Sequence, residues 1–345
     1  MSDGPEIAVV VTAYQRRTYL LSAVRSVLAQ TLPRDRFEVV VAKDFDDPEI
    51  DRFLHEAGVQ VRQDTEPRIG GFLWNAVQET RAPYVAFLDD DDEFAPDHLA
   101  RALEVLRAHP EIGFYRNRVV VIDQEGKEVP HSEWRRLERD DLLDRRGAIT
   151  VPPSHKDGVV RLGLDLTRAS FNSSTMVVRR ALLEGNGVPV LRRTMMPDLA
   201  FFVFAVLGPY GLYLDDRRLT RYRNYPGNKT RETSWLDRAS IGFDEIAQYA
   251  RSHGGTELAD RIASEASHYA RLFRGESLVE RIGEGAPRRE VARLAGEYLK
   301  FLGRHPAEIG LSLDVWAAGM YAASYLAMPG LARQVNRRQI ARRRS

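Results

Sequence analysis

The chain contains no cysteine, which excludes disulfides and thiolate metal sites and leaves the compartment open. It has no run of 18 clean apolar residues, so a membrane-spanning helix is not expected. It also lacks a charge excess. With 50 Lys+Arg against 49 Asp+Glu the net charge is +1, and no nucleic-acid partner is expected from that balance. The eight histidines show no zinc-like spacing. Ser170, Ser173 and Ser174 have no evident partner histidine, which leaves a hydrolase triad unsupported. Gly70-Gly71 lies outside any dinucleotide fingerprint, and no Walker motif occurs. The acidic opening Met1-Ser2-Asp3-Gly4-Pro5-Glu6 leads directly into an apolar run, so no signal peptide is expected and the protein is expected to be cytoplasmic.

What is present begins with an acidic tract. Asp89-Asp90-Asp91-Asp92-Glu93 follows the apolar run Tyr84-Val85-Ala86-Phe87-Leu88. Like charges this close repel, and folding crowds them further, so a cation is the natural counterpart. Hard divalent ions such as Mn²⁺ or Mg²⁺ prefer oxygen ligands. The competing reading is that Asp92 and its neighbours serve the N-terminus of the helix expected from Pro96.

At 345 residues, 43% hydrophobic and 29% charged, the chain can bury a large core. Short β-branched runs at 7–12, 37–42, 59–62, 84–88 and 112–115 alternate with helical spacing at 20–30, 48–57, 71–80 and 96–108. That alternation implies an α/β fold with a mostly parallel sheet and helices on both faces. Ligands then bind beyond the carboxyl ends of strands, where Thr12-Ala13-Tyr14, Asp44 and the acidic tract fall. Residues 123–165 are expected to hold a hairpin near Gly126 and a long loop, and 170–178 a return strand. A helix is expected over 199–207 and short strands over 212–214 and 219–223. Amphipathic helices over 239–250, 257–273 and 288–302 form a helical C-terminal region, placing the expected division at 1–232 and 233–345. The apolar stretch 311–328 precedes six arginines between 333 and 344, a combination suited to peripheral contact with an anionic inner membrane face.

Six segments, in order, carry a resemblance: Val9–Arg16, Ser26–Thr31, Gly70–Asn75, Phe87–Asp92, Met196-Pro197-Asp198 and Tyr222–Asn228. Together they resemble the family 2 glycosyltransferases of the GT-A (Rossmann-like) fold over roughly residues 7–230. The resemblance implies an inverting, metal-dependent transfer of a sugar from a nucleoside-diphosphate sugar, UDP favoured, to a hydroxyl on a glycan, a lipid-linked saccharide or another acceptor. It also implies roles. Thr12, Ala13 and Tyr14 would hold the nucleotide base, and Asp44 would accept from a base N–H. Arg68 would meet a phosphate, with Arg223 and Lys229 as further phosphate candidates. Asp89 would bind ribose or metal, Asp90 would be the variable middle residue on the donor side, and Asp91 would coordinate the metal directly. Asp198 would be the general base, with a helix-end role as its structural alternative. Asn75 is expected to tie its loop to the helix. Two positions depart from the family pattern: the second strand ends in Lys43-Asp44-Phe45-Asp46-Asp47, and Tyr225 stands where a histidine is frequent. A nucleotidyltransferase and a non-catalytic sugar-nucleotide or carbohydrate-binding module are the competing classes. The first usually needs a glycine-rich loop, and residues 12–18 contain no glycine.

Overall fold

A computed structural model describes residues 4–14, 16–130, 143, 147–155, 169–225, 233–283, 287–304, 322, 323 and 326. Strand β1 (Ile7–Ala13) is buried at every position, which is why it reads as an unbroken apolar run instead of an alternating one. It pairs in parallel with β2 (Phe37–Lys43) on one side and β4 (Tyr84–Asp89) on the other, and β2 pairs in parallel with β3 (Gln60–Gln63). The connections are helical: α1 (Leu20–Leu28), α2 (Pro48–Glu56) and α3 (Ile69–Val77). Helix α2 starts where expected because Pro48 occupies its first turn and the Asp47 carboxylate accepts from the Glu49 and Ile50 N–H groups at 3.2 Å.

Beyond β4 the sheet becomes mixed. A two-residue strand, β5 (Glu93–Phe94), precedes α4 (His98–Ala108), and β6 (Ile112–Ile122) follows. Then come β7 (Ile149–Val151), β8 (Met176–Arg179), α5 (Val188–Arg193), α6 (Pro197–Leu207) and β9 (Gly211–Arg223). The order is β3-β2-β1-β4-β8-β6-β9-β5, with β7 on β9. β8 runs antiparallel to both β4 and β6, while β6 and β9 are parallel. The expected hairpin at Gly126 is present, with φ +82° at that glycine and a bridge between Ile122 and Glu128.

Two elements differ from the sequence expectation. The short strands expected over 212–214 and 219–223 are one strand, β9. Its charged middle stays in the sheet because Asp215, fully buried, accepts from Arg101 Nε at 2.8 Å and from the Tyr115 hydroxyl at 3.1 Å. The return strand expected over 170–178 is only β8, because Asn172 takes a positive φ of 61° and its side-chain oxygen accepts from the Ser174 N–H at 2.6 Å. Side-chain-to-backbone bonding of this kind competes with strand pairing and turns residues 173–175 into a single 3₁₀ turn.

The chain divides into two compact units, residues 1–225 with 241–262, and residues 226–240 with 263–345. Helices α7 (Thr233–Ser252), α8 (Thr256–Gly283) and α9 (Arg288–Arg304) run through this region. The second unit has its own small core of Leu278, Ile282, Val291, Tyr298 and Ala322. Among the described residues no helix is long and apolar enough to cross a membrane. Residues 226–232, most of 311–328, the arginine tail and much of 123–165 lie outside the described residues, and so does Lys229.

Candidate active site

Sheet register brings the first candidates together. Thr12 lies opposite Asp89, and Ala13 opposite Lys43, so the ends of β1, β2 and β4 meet at one edge. Thr12 Oγ1 donates to Asp89 Oδ1 at 3.4 Å. The Tyr14 hydroxyl donates to the Pro67 carbonyl at 3.0 Å, and its ring meets Phe72 edge-on at 5.6 Å. Tyr14 thereby fixes the β1 loop against the start of α3. Asp44, half-buried, follows directly on β2. Arg68 stands at the start of α3 with an exposed side chain, 4.0 Å from Glu66, so it is not drawn into the acidic tract. Asn75 donates to Asp64 at 2.9 Å, the loop-to-helix tie expected of it. Gly70 has a close-packing role: a Cβ there would stand 2.0 Å from the Leu191 carbonyl oxygen.

The acidic tract divides by partner. Carboxylate oxygens of Asp89, Asp91 and Asp92 lie within 4.8 Å of one another. Asp90, 1% exposed, accepts from Arg16 Nη2 at 2.7 Å, and its other oxygen has no partner. Arg16 Nη1 reaches Asp91 Oδ2 at 2.5 Å and the Tyr225 hydroxyl at 3.0 Å, and Tyr225 donates to the same Asp91 oxygen at 3.2 Å. The residue standing in place of histidine therefore touches the tract through its hydroxyl. Asp92 does not cap α4. It accepts from Asn172 Nδ2 and Ser174 Oγ at 2.7 Å and from the Arg223 N–H at 3.0 Å. Arg223, expected near phosphate, is buried over the Tyr19 ring and braces the tract. It donates to the carbonyls of Asp91, Asp123 and Gln124 and to Glu93.

Asp198 lies in the first turn of α6, where its Oδ1 accepts from the Leu199 N–H at 2.9 Å. Burial pushes its carboxyl up to about 6, with the Asp89 charge adding to the shift and the N–H groups of Leu199 and Asn172 opposing it. Asn172 is thus the joint between the two acidic groups, since its side chain holds Asp92 and its backbone faces Asp198. It is the one non-glycine residue with positive φ among those described, a conformation that persists where surroundings over-determine it. Neither Asn172 nor Arg16 was singled out from sequence. The polar run Asn172-Ser173-Ser174 ahead of an apolar strand was the available signal.

The tract fits a hard divalent cation. Burial, followed by the charges of its neighbours, raises Asp89 to about 6 and Asp92 well above the usual carboxylate range. Asp90 rises to about 8 through burial and the Asp91 charge, although Arg16 opposes the shift. Three carboxylates with oxygens within 4.8 Å of one another are the kind of donor set that oxygen-seeking ions require. A pH effect follows. Carboxyls raised in the folded state bind protons more tightly there than in the unfolded chain, so stability falls as pH rises through their pKa values. His98, held down to about 4 by burial, is neutral in the folded state, and the proton its unfolded imidazole sheds near 6.5 opposes that slope only at the lower end. The metal-free protein should therefore melt roughly 5 °C higher at pH 6.5 than at pH 8.5, and Mn²⁺ should flatten that difference. A metal-free melting point that rises with pH in this window counts against the arrangement.

Comparison with known proteins gives part of this chain a family likeness. Residues 8–162 match the family model described as Glycosyl transferase family 2. That stretch of the chain is similar to family 2 glycosyltransferases. The resemblance read from the six motifs and the expected fold class are borne out. The match holds the Thr12–Tyr14 loop and the acidic tract, whereas Asn172, Asp198 and Tyr225 lie beyond it. Among solved structures, S. aureus TarS 1–349 in complex with UDP has a TM-score of 0.55 at 17% identity, covering 97% of this chain and 92% of that one. At that identity the likeness is one of fold, and the matched region covers nearly the whole chain. Protein CgeD of Bacillus subtilis (strain 168) is 24% identical over 142 residues, 37% of this chain and 33% of CgeD. Uncharacterized protein y4gI of Sinorhizobium fredii (strain NBRC 101917 / NGR234) is 32% identical over 119 residues, 32% of this chain and 13% of y4gI. The chain therefore spans a third or less of these curated relatives.

Proposed function

We propose that this chain is a family 2 glycosyltransferase that moves a sugar from a nucleoside-diphosphate sugar to an acceptor hydroxyl with inversion at the anomeric carbon. The observation that carries the reading is the convergence of Asp89, Asp91 and Asp92 at the strand ends, joined through Asn172 to a separate buried carboxylate, Asp198. Asp198 takes the acceptor proton as the new bond forms, because a hydroxyl is a weak nucleophile and a carboxylate raised toward neutral pH is matched to the task. Asp91, with Asp89 and Asp92, holds Mn²⁺ or Mg²⁺. Bound there, the ion supplies electrostatic stabilisation of the departing diphosphate. Thr12, Ala13, Tyr14 and Asp44 line the base side, Asp90 lies on the donor side, and Arg68 approaches only as its exposed side chain swings inward. The UDP in the TarS structure makes uridine the first base to test. The acceptor is a glycan, a lipid-linked saccharide or another hydroxyl compound in this reading. The basic tail adds contact with the cytoplasmic membrane face.

A panel of nucleotide sugars in thermal melts, with and without Mn²⁺, tests the proposal. UDP or its sugar at about 100 times its dissociation constant should stabilise the protein by about 2.7 kcal/mol when Mn²⁺ is present. Asp91→Ala should lose that response and at least a hundred-fold in turnover. If no nucleotide stabilises the protein, the reading fails. Tight binding without turnover across acceptors points instead to a binding module.

A further inference from the structure

Arg16 has no role in the scheme above, yet it is paired directly with two carboxylates of the acidic tract. One guanidinium nitrogen lies 2.7 Å from Asp90 and the other 2.5 Å from Asp91, and Tyr225 ties that second contact at 3.0 Å. The carboxylates outweigh the cost of burial and hold the guanidinium charged beyond its ordinary range. The arrangement remains incomplete: Arg16 Nε is buried with no partner, and so is the second oxygen of Asp90. Arg16 and Tyr225 both bond the same Asp91 oxygen, which belongs to the carboxylate group converging with Asp89 and Asp92. The side chain is 22% exposed, so it has a route outward.

We propose that Arg16 is a donor-diphosphate clamp that exchanges partners, holding Asp90 and Asp91 in the empty site and turning its fork onto the diphosphate when cation and nucleotide arrive. The proposal rests on the glycosyltransferase reading. Its physical basis is charge. A divalent ion on Asp91 repels a guanidinium hydrogen-bonded to the same carboxylate, and a planar fork with unused donors matches two phosphate oxygens. Release of Arg16 favours both ligands, so each strengthens the other. Mn²⁺ alone binds weakly because it competes with a tethered cation. The nucleotide alone binds weakly because Arg16 is held away from it and the tract repels phosphate.

The test uses the full chain and two probes, Mn²⁺ alone followed by electron paramagnetic resonance, and UDP with saturating Mn²⁺ followed by calorimetry. Arg16→Met should bind Mn²⁺ alone roughly ten-fold tighter and UDP with Mn²⁺ roughly ten-fold weaker, as expected from losing a charged hydrogen bond on each side. The cooperativity between the two ligands should disappear. Arg16→Lys keeps the charge without the fork. It should bind Mn²⁺ alone as weakly as the parent and bind UDP several-fold more weakly. Circular dichroism establishes that each variant is folded. A folded Arg16→Met whose Mn²⁺ affinity is unchanged or lower overturns the exchange, and Arg16→Lys with parental UDP affinity overturns the clamp. In both cases the parent chain still binds Mn²⁺ and nucleotide, so the glycosyltransferase reading stands. If the parent binds neither Mn²⁺, UDP nor GDP at millimolar concentration, that reading fails and the clamp fails with it.

Discussion

Asp198→Asn is expected to lower turnover by about a thousand-fold, within the range for removing a positioned general base, while leaving UDP and Mn²⁺ binding nearly unchanged. The substitution keeps the shape of the side chain and an oxygen able to accept from the Leu199 N–H, now 2.9 Å from Asp198 Oδ1, so the start of α6 should hold. The loss should appear in kcat, because the amide cannot take a proton from the acceptor. The pH profile gives a second check. Asp198 is raised to about 6, mainly by burial and then by Asp89, and a base works only when ionised. Turnover should fall about ten-fold per pH unit on the acid side of that pKa. A cation that neutralises Asp89 should move this limb lower. An Asp198→Asn protein with parental kcat would remove this residue from the chemistry and leave it a helix-end role.

Arg223→Met should cost about 3–5 kcal/mol of folding stability, the range for leaving a buried charge network without one partner. The guanidinium lies over Tyr19 at 4.4 Å and donates to Glu93 at 2.6 Å, to the carbonyls of Asp91 and Asp123 at 2.9 Å, and to that of Gln124 at 3.2 Å. Methionine fills similar space and removes every one of those donors. Glu93 retains Arg221, 3.0 Å away, so the principal loss falls on the unpaired carbonyls and on the position of Asp91. Urea unfolding at fixed pH measures the effect as a shift in midpoint at constant slope. A change below about 1 kcal/mol would place Arg223 among ordinary surface cations and reopen its role toward phosphate.

Much of the donor side was legible in the sequence. The 7–12 and 84–88 runs became adjacent parallel strands, and their ends carry Thr12 and Asp89 in register. An acidic tract after such a strand has few other physical explanations. The family motifs also gave the order of the elements, including the helix after Asp198, because short apolar runs and helical periodicity survive in a single chain.

What the sequence left open depended on partners distant along the chain. Asp92 read as a possible helix cap because local spacing is all a sequence offers. Its actual donors come from residues 172, 174 and 223. β9 looked broken at Asp215 because a charge ends an apolar run, and the bonds from Arg101 and the Tyr115 hydroxyl keep that carboxylate inside the sheet. Tyr225 looked like a missing ligand, yet its hydroxyl lies 3.2 Å from Asp91. The sequence by itself determined the parallel half of the sheet and the presence of an acidic tract at its edge, because these are written in local periodicity and composition. Tertiary structure alone decided which carboxylates are paired and which remain open, because desolvation and charge pairing depend on what folding places within a few ångströms.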